Sequence, residues 1–292
     1  PMQWLFCGKN LIKHEVIMNR TLYVSDLDGT LFNRNKKISN KSVEIINKCI
    51  DKGMKFSIAT ARMPYGCDTR LSPIHMNVPG IVTNGVFLYD FEEKRIISSE
   101  IIDSVAVQNV LQVFNSYKLP CFLYMCNDGE ISIYYKDEEQ KKQTQYYSER
   151  ALESCKEIKK ITSFEQQARN GDCVYLAYTG KREELEPICR ALDRVEKIKY
   201  SFYLNIYNGL YCLEVFGEKA SKENALLKLK EYVDCDKLVV FGDNHNDMSM
   251  MKIADESYAP NNALPEIKVI VDEILEDCDH DGVALFLEKK FL

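Results

Sequence analysis

The chain has 292 residues, of which 46% are hydrophobic and 28% are charged, and its formal net charge is −6. This length suits one large domain or two modest ones, and the composition is typical of a soluble globular protein. The acidic balance argues against nucleic-acid binding, and no apolar run approaches the ~20 residues that a membrane span requires.

The eleven cysteines indicate reduced thiols. Their number is odd, and they form neither a CxxC pair nor the Cys/His spacing of a zinc site. In a chain of this size that pattern is typical of a cytoplasmic protein, so each cysteine is interpreted as a small buried hydrophobe. The first residues lack the long apolar stretch of a signal peptide, and we expect residues 1–17 to be an extension that precedes a natural start at Met18.

The first strong signal is a pair of aspartates behind a predicted strand. The apolar run Thr21–Ser25 predicts a buried strand, and the sequence DLDGT follows it at residues 26–30. In an extended chain Asp26 and Asp28 point the same way, so their carboxylates repel each other unless a cation or a shared proton intervenes. Such a pair suits a nucleophile beside a general acid and base, with a divalent metal to neutralise an anionic substrate. An ordinary Asp-Gly turn after a strand is the alternative.

The next elements predict a parallel α/β sheet. Ser39 is a good N-cap for a helix that ends near Gly53, and Pro64 suits the first turn of another helix. Further strands are expected at residues 55–59 and 81–83. Right-handed crossovers bring the carboxyl ends of such strands to one edge, where ligands bind. The polar residues expected at that edge are Asp26, Asp28, Thr60 and Asn84.

The α/β pattern returns near the C-terminus. A helix is predicted over residues 220–233 with Ser221 as its cap, and strands are predicted over residues 238–241 and 257–259. Two closing helices are expected at residues 264–273 and 283–290.

The middle of the chain has a different character. A hairpin is predicted around Asn127-Asp128-Gly129, and helices are predicted near residues 105–117 and 183–195. Twelve of the 17 tyrosines lie between Tyr117 and Tyr211, and we interpret them as ordinary strand residues rather than as stacking platforms for a sugar or base. The pattern predicts an α+β domain at residues 86–215, inserted into an α/β core of residues 18–85 and 216–292.

A second acidic segment follows the predicted strand at 238–241. In the sequence GDNHND, Asp243 stands at the strand end and Asp247 lies four residues further on. Mg²⁺ takes oxygen ligands and often uses one or two carboxylates besides a substrate phosphate, so these residues suit a magnesium site with Asp26. The alternative is a helix start decorated with acidic residues, which the helix dipole favours. His245 is expected at the surface or behind the ligands, because Mg²⁺ prefers oxygen.

Lys222 and Thr60 are further candidates. Lys222 falls in the first turn of its predicted helix, where the dipole opposes a cation by ~0.3–1 kcal/mol. It is either a surface lysine or a counter-charge to a carboxylate and a phosphate. Thr60 either offers a hydroxyl to a phosphate oxygen or is merely a residue that favours strands.

In this order, the motifs resemble the haloacid dehalogenase superfamily, and more narrowly its Cof-type phosphatases with a large α/β cap. The resemblance runs from about residue 20 to the C-terminus. The matching segments are DLDGT at 26–30, IATAR at 58–62, TNG at 83–85, LEV at 213–215 with ASK at 220–222, GDNHND at 242–247, NA at 262–263 and DGV at 281–283.

The resemblance implies a Rossmann-like core whose cap closes over the active site. It implies Asp26 as nucleophile and Asp28 as general acid and base, with Thr60 and Lys222 contacting the phosphoryl group or orienting Asp26. It also implies Mg²⁺ on Asp26, the Asp28 carbonyl and Asp243, with Asp247 in support. The residues implied in substrate binding are Arg62, Asn84, Gly85 and Asn246.

The implied activity is a Mg²⁺-dependent phosphatase of small phosphorylated metabolites, expected to be sugar phosphates. A phosphosugar mutase on the same scaffold and a phosphometabolite-binding regulator without catalysis stay open as alternatives. Neither a nucleic-acid nor a membrane partner is expected. The sequence names neither the substrate nor the oligomeric state.

Overall fold

The computed structural model describes residues 20–142, 157–205 and 209–292 of the chain. The predicted extension, residues 1–17, lies outside the described residues. No helix within these described ranges combines the length and the apolar character that crossing a membrane requires.

Strands and helices alternate at both ends of the chain, whereas strands dominate its middle. The strands are β1 (Thr21–Ser25), β2 (Lys55–Ile58), β3 (Gly80–Val82), β4 (Phe87–Asp90), β5 (Arg95–Ser99), β6 (Phe122–Asn127), β7 (Glu130–Tyr135), β8 (Glu157–Lys160), β9 (Cys173–Gly180), β10 (Ile198–Leu204), β11 (Tyr211–Gly217), β12 (Lys237–Phe241), β13 (Glu256–Pro260) and β14 (Glu273–Leu275). The α-helices are α1 (Asn40–Asp51), α2 (Pro64–Leu71), α3 (Ser104–Ser116), α4 (Glu138–Lys142), α5 (Phe164–Gln167), α6 (Arg182–Leu192), α7 (Lys222–Tyr232), α8 (Met248–Ile253), α9 (Pro265–Lys268) and α10 (Gly282–Phe291).

Five parallel strands form the main sheet, in the order β14-β13-β12-β1-β2. Its central strands come from the apolar runs of the sequence, and side chains such as Leu22, Val24 and Val240 are fully buried. Ser39 caps α1 by accepting the amide N–H of Ser42, as its position predicts. The sheet joins segments from both ends of the chain, which confirms the predicted α/β core.

Two elements of the structure differ from their predictions, the third strand and the helix expected at residues 264–273. The third strand, β3, pairs antiparallel with β4 in a small three-stranded sheet, and only one parallel bridge, Ala59 to Ile81, joins it to the main sheet. Thr83 lies outside β3 in a 3-10 turn, with φ of 53°. The prediction of one helix over residues 264–273 is wrong, because α9 ends at Lys268 and Glu273 begins the edge strand β14.

A six-stranded sheet is built from the middle of the chain, in the order β10-β11-β9-β6-β7-β8. Its predicted hairpin is confirmed, since Asn127 pairs with Glu130 across a turn in which Asp128 and Gly129 have φ of 53° and 78°. The helices α3, α5 and α6 bury their apolar side chains against one face of this sheet.

The opposite face of this cap sheet is turned toward the core. Phe122, Tyr124 and Tyr175 from that face share a hydrophobic cluster with core residues such as Leu27 and Phe32. The predicted fold class, a Rossmann-like parallel sheet with an α+β cap, is confirmed. The exact domain boundaries stay a prediction.

Candidate active site

The candidate site lies at the carboxyl edge of the main sheet, where β1 and β12 end side by side. Ser25 pairs with Phe241 at the last register position, and the amide of Asp26 donates to the Phe241 carbonyl at 2.9 Å. Carboxylate oxygens of Asp26, Asp243 and Asp247 come within 4.8 Å of one another. The two acidic segments, 217 positions apart at Asp26 and Asp243, therefore meet at one edge as the parallel pattern predicts.

Lys222 is the cation of this cluster. Ser221 caps α7 by accepting a backbone N–H of its first turn, which makes Lys222 the first residue of the helix. The Lys222 Nζ lies 2.5 Å from Asp26 Oδ1 and 2.6 Å from Asp247 Oδ1, and its side chain is only 1% exposed. Lys222 is therefore a buried counter-charge and not a surface lysine.

The charges of the cluster do not balance. Three carboxylates face one ammonium, so two negative charges are left over when all four groups are ionised. Burial raises the pKa of Asp26 well above its usual range; the Lys222 ammonium lowers it, and the Asp247 carboxylate raises it further. Burial also lowers the pKa of Lys222, but Asp247 and Asp26 outweigh that effect and the net direction is upward.

Asp243 is the most accessible carboxylate of the cluster. Burial and the neighbouring Asp247 raise its pKa from 3.8 to about 6. A divalent cation among these oxygens would cancel the excess charge and favour the ionised forms. Three carboxylates are also the hard oxygen ligands that Mg²⁺ prefers, so the donor set fits the predicted metal.

The backbone around the cluster is shaped to bring the carboxylates together. Gly29 has φ of 86°, and a Cβ there would lie 2.5 Å from Asp243 Oδ2. The hydroxyl of Thr30 donates to Asp243 Oδ1 at 3.0 Å. Asp247 Oδ2 accepts the backbone N–H of Asp243 at 2.9 Å and that of Asn244 at 3.1 Å. Asp247 therefore both joins the acidic cluster and fixes the loop that carries Asp243.

The Asp28 carboxylate has a different partner. It accepts two hydrogen bonds from Arg62, from Nε and from Nη2, each at 2.6 Å. The side chain of Asp28 is 40% exposed and that of Arg62 is 18% exposed, so this pair borders open space. Asp28 is not among the three carboxylates that cluster, and the expected metal contact through its backbone carbonyl stays a prediction.

Thr60 and Asn84 lie on adjoining backbone. Thr60 is buried, its hydroxyl accepts the N–H of Arg62 at 3.2 Å, and its carbonyl accepts the N–H of Asn84 at 2.9 Å. Asn246 reaches across from the second acidic segment and donates to Asn84 Oδ1 at 3.2 Å. His245 is exposed, as expected.

Gly85 holds this turn against the start of α7. Its φ is 92°, and a Cβ would lie 2.2 Å from the carbonyl oxygen of Ser221. No larger residue fits without displacing the helix turn that carries Lys222. Gly85 therefore has a packing role in the structure, and its predicted contact with substrate is not tested by this geometry.

Two supporting residues were not assigned a role from the sequence. Thr30 donates to Asp243, as described above. Asn262 donates to the carbonyl of Gly29 at 2.7 Å and accepts the N–H of Cys278 at 2.9 Å. Asn262 follows β13 closely, so the rule that places polar residues at the carboxyl edge of the sheet could have identified it.

A cavity of about 550 Å³ separates this edge from the cap sheet. Its core wall includes Asp28, Arg62 and Lys36. Its cap wall includes Tyr124, Tyr175, Tyr178, Thr179, Tyr203 and Glu214. The volume is in the range of small-molecule sites, roughly 300–1,000 Å³.

The family model of haloacid dehalogenase-like hydrolases matches residues 23–287. The 5-amino-6-(5-phospho-D-ribitylamino)uracil phosphatase of Bacillus subtilis is 25% identical over 281 residues, which cover 90% of this chain and 96% of that protein. A haloacid dehalogenase-like hydrolase from Bacteroides thetaiotaomicron superposes with a TM-score of 0.71 at 22% identity, over 93% of this chain and 99% of the other. A sugar phosphatase of HAD subclass IIB gives a TM-score of 0.65 at 20% identity, over 92% and 98%.

These structural likenesses show the fold, and the match to the family model covers nearly the whole described chain. The family and the names of the relatives confirm the prediction of a phosphoric monoester hydrolase. The chain belongs to the haloacid dehalogenase-like hydrolase family.

Proposed function

We propose that this protein is a Mg²⁺-dependent phosphatase of small phosphorylated metabolites, with sugar phosphates as the favoured class. The observation that carries the proposal is the Asp26 carboxylate, which is buried beside an ammonium and two further carboxylates at the carboxyl edge of the main sheet. Such a cluster destabilises the folded protein, because like charges in a poorly solvated place repel each other. A bound cation would remove that repulsion.

Asp26 is the nucleophile in this proposal. One of its oxygens is held by Lys222, which fixes the carboxylate and leaves the other oxygen to attack phosphorus. The bond from phosphorus to the leaving oxygen breaks as the new bond forms, which gives an aspartyl-phosphate. Lys222 offsets the charge that gathers on the phosphoryl oxygens.

Asp28 is the general acid and base. It donates a proton to the leaving oxygen and later accepts one from the water that hydrolyses the aspartyl-phosphate. Its exposed position on the cavity wall suits exchange with substrate and water. Both Asp28 oxygens accept hydrogen bonds from Arg62, so the proposal requires Arg62 to release one of them before that oxygen carries a proton. Thr60, Asn84 and Asn246 are proposed to hold the phosphoryl group.

Asp26, Asp243 and Asp247, with the backbone carbonyl of Asp28, are the groups proposed to hold Mg²⁺ or to support its ligands. When bound, the ion supplies positive charge that neutralises the carboxylates and the phosphate. The excess of two negative charges in the cluster supports a divalent ion over a monovalent one.

The relatives support the substrate class. A phosphatase of a phosphorylated ribityl compound is 25% identical to this chain, and a sugar phosphatase shares its fold. Both names describe the removal of phosphate from a polyol or sugar. The cavity of about 550 Å³ has room for a leaving group of that size.

The test is phosphate release from sugar phosphates by the wild type and by Asp26→Asn, with Mg²⁺ and with EDTA. We expect Asp26→Asn and EDTA each to lower the rate by roughly 10³-fold or more, because the nucleophile or its charge balance is lost. Asp128→Asn, in the exposed hairpin turn of the cap, is the matched control and should keep the wild-type rate. Phosphate release that survives in Asp26→Asn would refute the nucleophile, and isomer formation without phosphate release would identify a mutase.

A further inference from the structure

Glu214 lies on the wall of the cavity that faces the candidate catalytic residues. It belongs to β11, in which Leu213 and Val215 are buried in the cluster between the cap sheet and its helices. Because strand side chains alternate, Glu214 points to the opposite face of the sheet, toward the core. It lines the same cavity as Asp28 and Arg62.

Two tyrosines hold this carboxylate. The hydroxyl of Tyr203 donates to Glu214 Oε1 at 2.8 Å, and Tyr175 also forms a side-chain hydrogen bond with Glu214. Burial raises the pKa of Glu214, whereas both phenols lower it. Burial and the Glu214 charge also raise the pKa of Tyr175 and of Tyr203, so the phenols stay protonated and act as donors.

Within the described residues, the groups that shift the pKa of Glu214 are the two phenols, and neither of them is a cation that would neutralise its charge. A carboxylate has about four acceptor positions, and two phenols leave some of them for a ligand. The cations that line the cavity, Arg62 and Lys36, lie on the core wall beside Asp28. The core wall therefore carries two cations and one carboxylate, whereas the cap wall carries the Glu214 carboxylate with its two phenols.

We propose that the cluster of Glu214, Tyr175 and Tyr203 selects a leaving group that carries hydrogen-bond donors, either hydroxyl or amino groups, and disfavours one that carries a second anion. This inference rests on the proposed phosphatase function and adds the chemistry of the leaving group. A hydroxyl or ammonium group would fill the free acceptor positions of Glu214. A carboxylate or second phosphate would meet the like charge of Glu214, which burial leaves poorly solvated.

The polarity of the cavity also gives the ligand a direction. The phosphoryl end lies toward the core wall, which carries Asp28 and Arg62, and the donor groups lie toward the cap. The tyrosines beside Glu214 supply an apolar body and a polar tip, which suits a polyol whose carbon face is apolar and whose rim is polar. In this proposal Tyr175 and Tyr203 contact the ligand, whereas the sequence analysis interpreted the tyrosines of the cap as ordinary strand residues.

The experiment compares three six-carbon phosphates: glucosamine 6-phosphate and glucose 6-phosphate, which are rings, and 6-phosphogluconate, which is an open-chain acid. We expect the wild-type kcat/KM to fall in that order, with about a tenfold or larger difference between the amine and the carboxylate. Glu214→Gln keeps the size of the side chain and removes its charge, and should reduce that ratio by about fivefold or more. Glu196→Gln, exposed in the loop before β10, is the control and should leave the ratio unchanged.

Acetyl phosphate separates the two levels of the proposal, because its leaving group is too small to reach the cap wall. Hydrolysis of acetyl phosphate by Glu214→Gln at the wild-type rate shows that the variant is folded and that its core is intact. A wild type that hydrolyses 6-phosphogluconate as well as glucosamine 6-phosphate overturns the assignment of Glu214, whatever the variant does. A Glu214→Gln ratio equal to that of the wild type also overturns it, while phosphatase function stands. A wild type that releases no phosphate even from acetyl phosphate refutes the proposed function, and this inference with it.

Discussion

Replacing Asp243 by Asn should stabilise the metal-free protein and greatly reduce its stabilisation by Mg²⁺. Burial and Asp247 raise the pKa of Asp243 from 3.8 to about 6, so at pH 7.5 the folded protein carries a carboxylate that its surroundings disfavour. Asn removes that charge and keeps an oxygen that can accept the hydrogen bond of Thr30.

The size of the effect follows from proton linkage. A rise of pKa from 3.8 to about 6 corresponds to at most ~3 kcal/mol. Asp243 is partly exposed, and screening by solvent lowers the expected effect to about 1–2 kcal/mol. Because the folded protein binds this proton more tightly than the unfolded chain, metal-free wild type loses stability as the pH rises from about 4 to about 6. The whole penalty is present above pH 6, and it is absent below about pH 4.

The assay is urea unfolding of both proteins in EDTA and in excess MgCl₂, at pH 7.5 and at pH 4.5. In EDTA at pH 7.5 the Asn variant should be more stable by about 1–2 kcal/mol, and the difference should shrink at pH 4.5. Mg²⁺ at a hundredfold excess over its Kd should stabilise the wild type by ~2.7 kcal/mol and the variant much less, which reverses their order. Asp128→Asn is the control and should stay within about 0.5 kcal/mol of wild type throughout. Equal stabilisation of both proteins by Mg²⁺ would remove Asp243 from the metal site, and a less stable metal-free variant would contradict the repulsion argument.

Lys222→Met should destabilise the metal-free protein by about 3–5 kcal/mol at pH 7.5, because it leaves Asp26 and Asp247 without their buried counter-charge. Urea unfolding with and without Mg²⁺ measures this loss; a wild-type midpoint in EDTA would contradict the buried pairing. Gly85→Ala should cost about 1–3 kcal/mol more than Gly53→Ala, since both glycines have φ of 92° but only at Gly85 would a Cβ overlap the backbone of α7. Thermal unfolding of the two variants compares them, and equal losses would show that backbone strain alone decides the effect.

The sequence predicted those parts of the fold in which local and long-range signals agree. The cap residue Ser39, the apolar strand Thr21–Ser25 and the hairpin at Asp128 and Gly129 all formed as expected. The strand β14 was missed because three residues at a sheet edge give no periodicity, and only pairing with β13 makes them a strand. The antiparallel pairing of β3 with β4 was also missed. The 3-10 turn at residues 83–85 reverses the chain between the two strands, and the sequence pattern did not predict that reversal.

The sequence predicted the parts of the site in which aspartates directly follow strands. It did not predict contacts between side chains of different segments. The proximity of Asp26 and Asp243 was predicted correctly, because parallel strands end at one carboxyl edge of the sheet. The position of strand ends did not predict that Arg62 would donate two hydrogen bonds to the Asp28 carboxylate, since that contact depends on the path of the chain after β2. Glu214 was noted only within the matching segment LEV and was given no role, because its two phenol partners come from β9 and β10, which the sequence does not place beside it.

The position of Lys222 shows why the acidic cluster is better explained by ligand chemistry than by stability. A lysine in the first turn of α7 is opposed by the helix dipole by ~0.3–1 kcal/mol, and burying its ammonium costs several kcal/mol more. Its ion pairs with Asp26 and Asp247 recover part of this cost, but apolar residues of similar volume in all three positions would often be as stable or more so. One lysine also leaves the cluster short of positive charge. The excess of two negative charges is what the proposed divalent cation would cancel, and only then could an anionic phosphate approach Asp26.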